Sequence, residues 1–99
     1  MLLDEAGPTG FVCASDTLAM GVMHTLADRG LVPGRDIAVV GFDDSQVAQV
    51  VPPGLTSVRQ PLEQVAREIV RALEGLLSHP PVVGRGVLLA PTLSTRGSS

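Results

Sequence analysis

The sequence predicts an α/β fold, a parallel sheet with flanking helices, and three observations predict it. The first is Asp36-Ile37-Ala38-Val39-Val40-Gly41-Phe42-Asp43-Asp44, an apolar run that stops in a glycine, an aromatic ring and two adjacent carboxylates. A strand covered on both faces shows no polar alternation, so this run reads as a buried strand with acids at its carboxyl end. The second is Gly10-Phe11-Val12-Cys13-Ala14, which closes in Ser15-Asp16. That is the pattern of a short strand running straight into a helix cap. The third is the punctuation between the two runs. A helix over residues 17–29 stops at Gly30, and Pro33-Gly34 turns the chain into the second strand. Strand, helix, strand in this order is a parallel, right-handed βαβ unit. Both polar clusters then lie on one rim, outside the carboxyl ends of the strands, where open α/β sheets bind ligands.

The remaining elements follow in order. Leu55-Thr56-Ser57-Val58 is a third short strand, and Arg59-Gln60-Pro61 leads into a second helix with proline in its first turn. Over residues 62–78 the apolar Leu62, Val65, Ala66, Ile69, Val70, Leu73, Leu76 and Leu77 fill one arc. Glu63, Gln64, Arg67, Glu68, Arg71 and Glu74 fill the other. One side of this helix is built for burial. Glu63 with Arg67 and Arg71 with Glu74 are expected surface pairs, each contributing about 0.2–0.5 kcal/mol. After His79-Pro80-Pro81, Gly86-Val87-Leu88-Leu89-Ala90 and Thr92-Leu93-Ser94 predict a last strand broken by Pro91. The polar end, Arg96-Gly97-Ser98-Ser99, is expected to fray.

Composition bounds the function classes. A chain of 99 residues is one domain at most, and it buries roughly two-thirds of its unfolded surface. With 44% apolar residues and 17% charged, it is globular; a net charge of −3 gives no footprint for nucleic acid. All seven cations are arginines, scattered along the chain rather than clustered. Cys13 stands alone in an apolar run and is expected to be a buried, inert thiol. The acidic start, Met1-Leu2-Leu3-Asp4-Glu5, is neither a signal peptide nor a membrane span. The expectation is a cytoplasmic protein with no cofactor.

The first helix carries more apolar surface than one packed face needs. At 100° steps Leu18, Ala19, Val22 and Leu26 fall on one side, and Met20, Met23 and Ala27 continue round to an arc of roughly 200°. Either the core of a larger monomer or a second subunit must cover that surface; Met20, Met23 and Ala27 would give an interface soft, adaptable contacts. His24 falls on the polar arc beside Thr17 and Asp28, as a surface residue.

Three readings are open for Asp43-Asp44. The pair can cap the following turn, since aspartate commonly bonds local backbone amides. It can bind a divalent metal, although no further carboxylate cluster or His/Cys spacing supports one. It can hold a hydroxylated ligand, with Phe42 presenting an apolar face, as sugars and nucleosides require. Nucleophilic catalysis has little support: neither His24 nor His79 falls at a predicted strand end near the crevice, and Ser45 lacks the context of a nucleophile elbow. No glycine-rich phosphate loop is present.

The chain resembles the C-terminal part of LacI/GalR-type transcription regulators. Phe11-Val12-Cys13-Ala14-Ser15-Asp16-Thr17-Leu18-Ala19-Met20-Gly21 is similar to the family's F-C-A-N-D segment. Residues 36–44 match its D-[IV]-[AS]-[VI]-[VI]-G-[FY]-D-[DN] segment, and Pro53-Gly54-Leu55-Thr56-Ser57-Val58-Arg59-Gln60-Pro61 resembles P-P-L-T-[ST]-V-x-Q-P. Leu93-Ser94-Thr95-Arg96-Gly97-Ser98 is similar to the closing L-x-x-R-x-S. The resemblance implies part of a periplasmic-binding-protein-like type I fold, with a sugar or nucleobase effector between two subdomains. It implies that Asp43 contacts the effector, with Ser15, Asp16 and Phe42 in the same binding group. Ser15 stands where the family usually has asparagine, which shortens the side chain and removes an amide.

By the same resemblance a homodimer interface is expected from the first helix and residues 47–51, through Leu18, Met20, Met23, Ala27, Val47, Val50 and Val51. The helix over residues 62–78 would pack on another subdomain, leaving an apolar stripe exposed in this chain. A fragment of a regulator is therefore expected, without the helix-turn-helix, meeting DNA only through a region outside these residues. The second reading is a fragment of a periplasmic sugar-binding protein of an uptake system, which shares the fold.

Overall fold

A computed structural model describes residues 7–82 and 86–99. The acidic start and Arg85 lie outside the described residues. The chain divides into two units: one takes the chain up to Arg59 together with Leu93–Ser99, and the other spans Gln60–Thr92.

The first unit is built on the βαβ order expected. Strand β1 (Gly10–Val12) leads into helix α1 (Asp16–Asp28), which is followed by β2 (Ala38–Phe42), the short helix α2 (Gln46–Val50) and β3 (Thr56–Arg59). Strand β4 (Thr92–Ser94) is fourth in the sheet order β1-β2-β3-β4. β1 pairs parallel with β2, Phe11 facing Val39, and β2 pairs parallel with β3, Gly41 facing Ser57. Ser15 caps α1, its hydroxyl accepting the Leu18 amide at 3.2 Å, and Gly30 at φ 73° ends the turn that follows.

The core joins Ala19, Met23 and Leu26 of α1 to Ile37, Val39 of β2, Ala48 of α2 and Leu55, with Phe11 and Cys13 packed at its edge. This corrects the helical wheel. Met23, expected on the interface side, is 7% exposed and buried in the core, whereas Leu18 is 59% exposed. The inward stripe is Asp16, Ala19, Met23 and Leu26, spaced by three and four residues. Asp16 anchors that stripe, which rotates Leu18 outward. Half-burial of Cys13 pushes its thiol pKa up, in keeping with an unreactive side chain.

β2 is buried on one face rather than two. Val39 and Gly41 are buried against α1 and its neighbours; Ala38 and Val40, on the other face, are only half-buried, and Phe42 is exposed. Val12, beside Val40 in the register, is 86% exposed. An apolar run without alternation thus marks a strand with a second face suited to cover, whether or not this unit supplies it.

The C-terminus is not frayed. Ser98 is fully buried between β2 and the start of β3. Its amide donates to the Gly54 carbonyl at 3.0 Å, its carbonyl accepts the Val39 amide at 2.7 Å, and its hydroxyl accepts the Thr56 amide at 2.8 Å while donating to the Val39 carbonyl at 2.6 Å. Ser98 completes the sheet where β3 has not yet begun. Gly97 is needed beside it, because a Cβ there would collide with Pro53.

The second unit contains α3 (Leu62–Leu77). Its apolar arc is as expected, and no residue of the helix is buried: Ile69 is 64% exposed and Leu73 54%. Glu63 pairs with Arg67 at 3.1 Å as expected, but Arg71 turns back to Glu68 at 3.1 Å rather than forward to Glu74. Residues 86–90 form no strand, and Leu88 is wholly exposed; only Thr92–Ser94 is extended in the sheet.

Candidate functional site

The carboxyl rim of the parallel strands brings together the two polar clusters picked out in the sequence. Ser15 and Asp16 follow β1, and Asp43 and Asp44 follow β2. Both of the latter residues have positive φ, 110° at Asp43 and 53° at Asp44. Two consecutive non-glycine residues there are rare, and such strain persists only where the surroundings over-determine it.

Those surroundings are a chain of hydrogen bonds. The Asp43 amide continues the β2–β3 ladder by donating to the Val58 carbonyl at 2.9 Å. The Asp44 amide donates to Ser57 Oγ at 2.9 Å, and Ser57 Oγ donates onward to Asp16 Oδ1 at 2.6 Å. Asp16 Oδ2 accepts both the amide and the hydroxyl of Ser45, at 2.6 and 2.8 Å. Asp16 is therefore an internal anchor: buried at the first turn of α1, it ties β3 and the loop after β2 to that helix. Position 41 must be glycine for this to fit. A Cβ there would lie 2.8 Å from Leu55 Cδ2 and closer still to Asp16 Oδ1.

The two adjacent acids face opposite ways. Asp43 is exposed on the rim, while the side chain of Asp44 is 2% exposed and points back into the fold. Asp44 Oδ2 accepts the Ser94 hydroxyl at 2.9 Å, and Arg96 Nη1 lies 2.7 Å from Oδ1. That contact is an ion pair without an aligned N–H, and the same Nη1 donates to the Leu55 carbonyl at 2.8 Å. Arg96 holds the Asp44 carboxyl below the usual carboxylate range, and the Ser94 hydrogen bond acts in the same direction against the opposing effect of burial.

Of the residues expected to bind, Asp43 and Phe42 are exposed at the rim, Ser15 is half-buried with its hydroxyl engaged as the α1 cap, and Asp16 is internal. Ser45, Ser57, Ser94 and Arg96 escaped the sequence reading as members of the cluster. A serine inside the apolar third strand and an arginine in the closing motif were the available signals. Among the described residues, no three or more His, Cys, Asp or Glu side chains gather as a metal site.

Beside α1, Phe11, Leu18, Gly21, Val22, Thr25 and Leu26 line an open apolar hollow of about 420 Å³. Of the other residues expected at an interface, Met20 is half-buried, and Ala27, Val47, Val50 and Val51 are exposed.

Residues 2–99 match the periplasmic binding protein-like domain. The chain belongs to the LacI/GalR family of regulators. It is 42% identical over 95 residues to an HTH-type transcriptional regulator of Streptomyces limosus, covering 96% of this chain and 27% of that protein. It is 31% identical over 99 residues to catabolite control protein A of Priestia megaterium, covering all of this chain and 30% of that protein. The lac repressor dimer bound to operator and the anti-inducer ONPF superposes with a TM-score of 0.82 at 33% identity, covering 93% of this chain and 32% of that one. The regulator CelR in complex with cellobiose superposes with a TM-score of 0.80 at 34% identity, over 92% of this chain and 28% of that one. The chain thus spans between a quarter and a third of the length of these family members. Among the described residues no helix is long and apolar enough to cross a membrane.

Proposed function

We propose that these residues form one wall of the effector cleft and part of the dimer interface of a cytoplasmic transcription regulator, whose DNA contacts lie in a region outside them. The observation that carries this reading is Asp43. Its carboxylate stands exposed at the carboxyl end of β2, on a backbone held at φ 110°. An ionised carboxylate on such a rim accepts several hydroxyl donors, and Phe42 beside it supplies an apolar face. Asp43, Phe42 and Ser15 are the proposed contacts. Asp16 belongs to the same group as the residue that positions them.

A sugar is the favoured effector class over a nucleobase. Family members have been solved with cellobiose and, in an Enterococcus faecium regulator, with ribose. The sugar-transport reading is disfavoured, since the curated relatives named above are regulators. The proposed dimer surface is the outer face of α1 around Leu18, Met20 and Ala27, continued by Val47, Val50 and Val51. Met23 is left to the core.

The test is calorimetric titration of a sugar and nucleobase panel into the full-length regulator carrying this segment, and then into its Asp43→Ala variant. Loss of a charge-assisted pair of hydrogen bonds is expected to weaken binding by about tenfold to a hundredfold. Unchanged affinity would reject Asp43 as the contact.

A further inference from the structure

We propose that Arg96 is a positioning residue of the rim: through Asp44 it holds the Asp43-Asp44 backbone in its left-handed conformation and so aims Asp43 outward. The inference rests on the reading of Asp43 as the effector contact.

A residue at φ 110° does not hold that conformation unaided, and the Asp43-Asp44 pair is fixed from two sides. Val58 and Ser57 hold the amides of Asp43 and Asp44 from β3. From the other direction Asp44 is held through its side chain, by Ser94 Oγ and Arg96 Nη1 among the described residues. The two residues lie 50 and 52 positions further along the chain, so the loop is clamped by a distant segment rather than by its own turn chemistry.

Arg96 is itself immobilised. Its amide donates to Thr56 Oγ1 at 2.8 Å, its carbonyl accepts from that hydroxyl at 3.1 Å, and its guanidinium is anchored on the Leu55 carbonyl. Gly54, at φ 85°, leaves room for the stem: a Cβ there would stand 3.2 Å from both Cβ and Cδ of Arg96. The buried Ser98, two residues on, locks the same segment into the sheet. A cation fixed at both ends of its residue gives Asp44 one position, and Asp44 in turn gives Asp43 one backbone geometry.

The proposal is tested by residue-resolved amide hydrogen exchange on the unliganded full-length regulator, comparing wild type with Arg96→Met, Arg96→Lys and Ser94→Ala. Arg96→Met is expected to speed exchange at the Asp43 and Asp44 amides at least tenfold, with the core amides of Ala19, Met23 and Leu26 unchanged. Arg96→Lys, which keeps a cation beside Asp44, is expected to restore part of the protection, and Ser94→Ala to give a smaller local increase. No change at Asp43 and Asp44 overturns the proposal, and so does a uniform rise that includes the core amides. If Arg96→Met fails to fold, the Ser94→Ala and Arg96→Lys profiles decide by the same criterion. Because the measurement needs no sugar, it can fail while Asp43→Ala still weakens effector binding, and the reverse result is equally distinguishable.

Discussion

The carboxylate of Asp16 occupies the space that a side chain on Gly41 would fill. Register explains this: Gly41 stands beside Ser57 in the β2–β3 pairing, on the same face, and Ser57 donates to that carboxylate. Glycine at this position creates a slot for a buried acid between two strands and a helix.

Gly41→Ala should therefore destabilise the protein although its backbone needs no glycine conformation. The added methyl meets Leu55 as well as Asp16, both within the packed unit. Overpacking of this kind costs about 1–3 kcal/mol. Urea unfolding should show a lower midpoint at unchanged slope. A change under about 0.5 kcal/mol, the range of ordinary surface substitutions, would show that the slot relaxes freely.

Ser98→Ala removes the hydroxyl on which the Thr56 amide and the Val39 carbonyl both depend. Each is left buried without its partner, at about 1–3 kcal/mol per group. The expected result is a marked fall in Tm, with Ser98→Thr losing less because it keeps the hydroxyl. Equal stability of Ser98→Ala and wild type would contradict the buried position of this serine.

Asp44 predicts a pH signature. Its carboxyl is held below the usual range first by Arg96 and then by Ser94, with burial opposing and Arg59 adding a smaller charge effect. A carboxyl with a depressed folded pKa contributes stability that is fully present above the unfolded value of about 3.9 and is lost as pH falls through the folded value. Asp44→Asn should accordingly be less stable than wild type at neutral pH, and the gap should narrow as the pH is lowered below about 4. Denaturant melts at several acidities measure it; a gap constant across that range would refute the linkage.

Asp43→Gly separates strain from function. Glycine adopts φ 110° freely, and relief of a strain of about 1–3 kcal/mol exceeds the added unfolded-state entropy of about 0.4–1 kcal/mol. The variant should melt higher than wild type while binding effector more weakly. A lower Tm would mean that Asp43 stabilises the fold, and the reading of stored strain would be wrong.

Much of this was legible in the residues themselves. The order of the first elements, the cap at Ser15, the stop at Gly30 and the amphipathic arc of α3 rest on periodicity and on local backbone chemistry, which act within a few positions of the chain. The acids after Phe42 marked the carboxyl rim of the sheet for the same reason. The family resemblance rested on four segments read in order, and the fold and the relatives agree with it.

Tertiary structure decided the rest. Sequence could not say that Asp43 turns outward and Asp44 inward, because neighbouring aspartates differ only in what meets them, and Ser94 and Arg96 arrive from 50 and more positions away. Nor could a helical wheel place Met23 in the core, since the inward direction of α1 is fixed by Asp16, whose partners Ser45 and Ser57 lie 29 and 41 positions away. Ser98 looked like a polar tail until the sheet left a gap beside Val39 for it to close. Local chemistry wrote the elements and the acidic rim; strand register, which pairs distant residues and sets which face each side chain takes, decided which of the rim's acids is exposed and which is buried.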